Sequence, residues 1–89
     1  MRSIKQWQVD VFVGENDGRT YAEASLVTEL GDRLVGTGWA TVAPSDHDVP
    51  EIGDEVATAR ALANLATRLL GTASHDIRQV TGEHVHLAS

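Results

Sequence analysis

Hydrophobic and polar positions alternate in three stretches of the first half of the chain, then switch to helical spacing. In residues 5–13, Trp7, Val9, Val11 and Val13 point one way, and Gln6, Gln8 and Asp10 the other. That period of two predicts a half-buried strand. Residues 14–18, Gly-Glu-Asn-Asp-Gly, tolerate positive φ and predict a hairpin connection. A second strand follows over 19–27, with Ala22, Ala24 and Leu26 on one face and Tyr21, Glu23, Ser25 and Val27 on the other. After a turn at 29–32, residues 33–42 predict a third strand. Tight connections make the order 1-2-3, an antiparallel meander.

The loop 43–50 contains Pro44 and Pro50, and Pro50 suits the first turn of a helix. Glu51, Asp54 and Glu55 place negative charge at the positive end of that helix dipole. Ile52, Val56, Ala59, Leu62, Ala63, Leu65, Ala66, Leu69 and Leu70 then give a broad apolar stripe, and Gly71 reads as a C-cap. The helix is therefore expected to run for about 20 residues. A short second helix is expected over 74–80, capped by Ser74 and stopped by Gly82. The fold class is α+β, β-β-β-α(-α): a three-stranded antiparallel meander with one long helix on one face and a short C-terminal helix.

Two details of the strands bear on function. Gly36 and Gly38 share a face with Leu34, Ala40 and Val42, and with Ala22 and Ala24 next door they form a shallow floor. Glycine in a strand marks close approach of another backbone. Gly53, costly in a first helical turn by roughly 1 kcal/mol against alanine, reads the same way. Gly36, Gly38 and Gly53 are thus expected at a tight helix–sheet contact. The opposite sheet face would carry Val35 and Trp39 together with Phe12, Tyr21 and Val27. One helix covers one face only, so these five residues form the expected dimer or partner face, with an edge strand or an exchanged C-terminal segment as the other routes to a dimer.

Length strengthens that expectation. The 89 residues make one domain, with a core at about 5–81 and a weakly determined tail at 82–89. A chain this short buries only roughly 60–65% of its unfolded surface. It has no cysteine, which removes disulfides and thiolate metal sites and leaves self-association as the supplement. No apolar run is long enough to span a membrane, and Met1–Gln6 lacks the apolar stretch of a signal peptide, so the cytoplasm is the expected location. Seven Lys and Arg against 13 Asp and Glu give a net charge of −6, which disfavours nucleic acid.

Candidate chemistry is sparse. His84 and His86 would share one strand face, but two ligands near a chain end do not make a preorganised metal site. His47 between Asp46 and Asp48 fits a turn with local side-chain-to-backbone bonds. No serine has a nucleophile-elbow context, and Gly36-Thr37-Gly38 lacks the Lys-Ser/Thr pair of a phosphate loop. No catalytic residue, cofactor or metal is expected, and the chain reads as a non-enzyme. An enclosed small-ligand site or an enzymatic dimer is the remaining alternative.

Trp7-x-Val9-Asp10-Val11, Arg19-Thr20, Ala22-x-Ala24-x-Leu26, Leu34-Val35-Gly36-x-Gly38-x-Ala40, Val49-Pro50-Glu51-Ile52-Gly53-Asp54-Glu55 and Ala59-Arg60-Ala61-Leu62 resemble a family of small actinobacterial proteins of unknown function. Leu65, Ser74-His75-Asp76-Ile77 and Val80-Thr81 extend the match, which runs from about Trp7 to Thr81. The resemblance implies a fold similar to a double-stranded RNA-binding domain without its first helix. It also implies homodimers, a link of mycobacterial members to hypoxia and dormancy, and a shape compared with ribosome hibernation-promoting factors. It supplies no catalytic residue. A double-stranded RNA-binding domain grips phosphates with lysines at the start of its last helix, where this chain has Glu51, Asp54 and Glu55. The expected function is a homodimeric binding or regulatory protein, linked to stress or dormancy. A ribosome- or RNA-associated factor is the alternative.

Overall fold

Strands β1 (Asp10–Asn16), β2 (Arg19–Val27) and β3 (Arg33–Thr41) precede one helix, α1 (Pro50–Thr81), in the computed structural model, which describes residues 3–41 and 50–81. The strands form one antiparallel sheet in the order β1-β2-β3. Val13 lies opposite Ala22, which in turn lies opposite Gly38. Among the described residues no helix is long and apolar enough to cross a membrane.

The first hairpin is tighter than its loop-rich sequence predicts. Asn16 pairs with Arg19, so only Asp17 and Gly18 make the turn. Both have positive φ, 52° and 75°, the mirror-image turn geometry whose twist matches that of the flanking strands. Gly14, Glu15 and Asn16 therefore belong to β1, while residues 5–9, expected in the first strand, precede it. The second turn is closed by Thr28, whose N–H donates to the Asp32 carbonyl (2.8 Å) and whose carbonyl accepts from Gly31 N–H (2.9 Å).

The helix departs most from expectation. It is one element of 32 residues, and it continues through Gly71 without a cap. The separate helix expected over 74–80 is the last part of α1. Gly71 is exposed, has ordinary helical φ, and would meet nothing within 4 Å if it carried a Cβ. Glycine lowers helix propensity but does not end a helix unless the backbone turns left-handed there. The tail 82–89, with His84 and His86, lies outside the described residues, as do Asp46, His47 and Asp48.

Small residues hold helix and sheet together. The core is Ala22, Ala24, Leu26 and Ala40 from the sheet and Ala57, Ala61 and Leu65 from the helix, with Leu34, Val56 and Leu69 packed against it. Gly53, Ala57, Ala61 and Leu65 recur every four residues, so they line one side of the helix. Ala59, Leu62, Ala63 and Ala66, expected in the stripe, are exposed instead. The side chains are small because the backbones touch. A Cβ on Gly36 would lie 2.7 Å from Leu65 Cα, and one on Gly38 would lie 2.5 Å from Ala61 N. At the helix entry, a Cβ on Gly53 would come within 2.9 Å of Oγ1 of the buried Thr20.

Candidate functional site

Alternation along the strands puts Phe12, Tyr21, Val27, Val35 and Trp39 on the sheet face away from the helix. They do not merge into one apolar patch. Tyr21 and Trp39 are cross-strand partners, with ring centroids 4.6 Å apart and planes inclined at 52°. The Arg19 guanidinium stands 4.9 Å from the Trp39 ring centroid, so the indole face is already taken by a cation. Val35 lies two residues up β3 from Thr37, opposite Ser25. Between the aromatic pair and Val35 runs the row Phe12, Glu23 and Thr37, which is polar apart from Phe12. Trp39 is 48% exposed and Phe12 67%.

Tyr21 Oη donates to Glu23 Oε2 at 3.2 Å. Its phenol pKa is raised above the ordinary value of 10.0, first by desolvation, then by that hydrogen bond and by the Glu23 charge. All three favour the protonated phenol. An open depression of about 400 Å³ beside it is lined by Gly14, Glu15, Asn16, Arg19, Tyr21 and Trp39. Among the described residues, no group of three or more His, Asp or Glu is placed to hold a metal ion. Nor does any buried side-chain nitrogen or oxygen among them lack a hydrogen-bond partner. The arrangement offers surface for contact.

The two sheet edges are treated differently, which the sequence pattern did not disclose. Along β3, Asn64 Oδ1 accepts from Thr37 N–H (2.9 Å), and Arg60 Nη1 donates to the Trp39 carbonyl (2.6 Å). Arg68 Nε donates to the same Asn64 Oδ1 at 3.4 Å. Side chains of α1 thus occupy backbone groups that an incoming strand would need. These two bonds also fix the phase of the ladder. Thr37 and Trp39 point outward, so in an antiparallel sheet Gly36 and Gly38 bond inward to β2. Carried across the registers of Ala22 with Gly38 and Tyr21 with Gly14, that phase leaves the N–H and C=O of Val11 and Val13 on the outer edge of β1. No side chain among the described residues bonds to them.

The same strand is bare on its helix-side face. Val11 and Val13 share that face with Ala24 and Ala22, yet they are 42% and 38% exposed. The helix lies over β2 and β3 and leaves them uncovered. Residues one step either side of Ala61 project from opposite flanks of the helix. Arg60 reaches the β3 edge, so Leu62, also 42% exposed, lies on the flank toward β1. The likeness to known proteins is close but carries no activity. A family model described as Rv2632c-like matches residues 5–86. The uncharacterized protein Mb1767 of Mycobacterium bovis is 43% identical over 84 residues, covering 94% of this chain and 88% of that protein. The uncharacterized protein Rv2632c of Mycobacterium tuberculosis is 44% identical over 81 residues, covering 91% and 86%. The crystal structure of Rv2632c matches with a TM-score of 0.83 at 43% identity, over 92% of this chain and 96% of that one.

Proposed function

This chain belongs to the Rv2632c-like family, and we propose that it works as a non-catalytic homodimer that binds or regulates another molecule. The observation that carries the reading is β1, an exposed strand on both faces with one edge that no described residue occupies. A second copy would supply the burial that one helix cannot. The sheet face bearing Trp39, Tyr21 and Arg19 would stay available for a further partner. Light scattering at micromolar concentration tests the assembly. Twice the chain mass of 9.6 kDa is expected, and the mass of one chain would reject it.

Stress or dormancy is the setting that the family resemblance implies for such a regulator. A ribosome- or RNA-gripping role gains no support from the helix entry, where Glu51, Asp54 and Glu55 carry the charge that phosphates repel. No co-sedimentation with ribosomes is expected even at low salt. Co-sedimentation that fades as salt rises would favour the ribosome-associated alternative.

A further inference from the structure

We infer that the unoccupied edge of β1 pairs antiparallel with β1 of a second copy, in a register centred on Phe12, making one six-stranded sheet. This rests on the homodimer reading above and specifies its interface. The two edges of the sheet differ. On β3 the Thr37 N–H and the Trp39 carbonyl are engaged by Asn64 and Arg60, and among the described residues no side chain engages the backbone groups of Val11 and Val13. A strand edge left open and apolar is a template for another strand.

The occupant follows from the sequence of the strand. Val11-Phe12-Val13 reads the same in both directions. An antiparallel pair about a two-fold axis needs such self-complementarity, because each residue meets its mirror position in the partner. Centred on Phe12, Val11 lies opposite the partner's Val13, and Val13 opposite the partner's Val11. These are the residues whose N–H and C=O point outward, so both pairs exchange two hydrogen bonds. Asp10 then lies opposite the partner's Gly14, and Glu15 opposite the partner's Val9, so no like charges face each other. Centring on Val13 instead would set Val11 against the partner's Glu15, and centring on Asp10 would set two aspartates face to face.

The faces agree with this register. On the helix side, four valines gather along the seam, flanked by Leu62 from each protomer. On the other side Phe12 meets the partner's Phe12 across the axis as a non-hydrogen-bonded pair. Such a pair brings the two Cα atoms to about 4.5 Å, within the range a disulfide spans.

The native chain has no cysteine, so Phe12→Cys introduces a single thiol. Phe12 is exposed, so the substitution leaves the protomer fold intact. Under mild oxidation the variant is expected to convert to a covalent dimer on a non-reducing gel. Thr37→Cys, on the same face but on β3, is expected to stay monomeric on that gel. A native dimer by mass whose Phe12→Cys variant does not cross-link would overturn this register while leaving the homodimer reading intact. A native monomer by mass would overturn both, and would leave a foreign strand as the occupant of the edge. Val13→Pro adds an independent check, since it removes an outward N–H that the protomer does not use. It should keep the circular dichroism of the fold and lose the dimer mass. An unchanged dimer mass would place the interface elsewhere.

Discussion

Gly36 and Gly38 show how single residues set the distance between the layers. Their missing Cβ atoms are replaced by helix backbone at Ala61 and Leu65. Gly38→Ala must push the helix off the sheet, because the obstacle is main chain and cannot rotate away. A loss of roughly 1–3 kcal/mol is expected in chemical denaturation, in the range of overpacked cores. The glycines were legible as a close approach, from their shared face beside Ala22 and Ala24. Their counterparts on the helix were not, because hydropathy does not separate a buried alanine from an exposed one. Ala57 and Ala61 are core, whereas Ala59, Ala63 and Ala66 are exposed. A search for small residues every four positions from Gly53 would have found the right side of the helix. Tyr21 gives a second test at this scale. It is the one tyrosine in the chain, so absorbance titration reports it alone. Its midpoint is expected above the ordinary 10.0 in the native protein and nearer to it in Glu23→Ala. The unfolded chain would release that proton first. The contribution of Tyr21 to stability is therefore whole below about pH 10 and declines as pH rises from there through the folded pKa.

Among the elements, the strands were legible and the helix end was not. Period-two alternation identified all three strands, and the pairing of Tyr21 with Trp39 follows from the register. The first strand was displaced toward Asn16 because a two-residue turn at Asp17 and Gly18 draws Gly14 into the ladder. The helix was expected to stop at Gly71 because glycine is the common C-cap, yet composition cannot tell a helical glycine from a left-handed one. The difference has a direct test. In the continuous helix, Gly71 is exposed and meets nothing, so Gly71→Ala should stabilise the protein by about 0.5–1 kcal/mol in thermal or urea unfolding. A destabilised variant would mean that the backbone there is left-handed and that the helix ends. The protection of the β3 edge by Arg60 and Asn64 was not visible in the pattern either. Only the closeness of α1 to β3 turns these two helix side chains into edge caps.

The molecule as a whole is poorly closed on itself. Its radius of gyration is 16.7 Å, with extents of 53 × 29 × 20 Å. A compact chain of about this length has a radius near 12 Å. Five of the seven core residues on which the layers meet are alanines, and no large side chain among the described residues is fully buried. Apolar groups that a larger protein would enclose lie instead on β1 and the adjoining flank of α1. A second strand and helix placed there would complete the layer. Amide exchange followed by NMR at Val11 and Val13 examines this claim where it applies. Both amides are expected to exchange slowly in concentrated solution and faster on dilution, while that of Phe12, bonded inward to β2, stays protected throughout. Rapid exchange of Val11 and Val13 at every concentration, beside a protected Phe12, would mean that the edge stays open to water and would contradict the account.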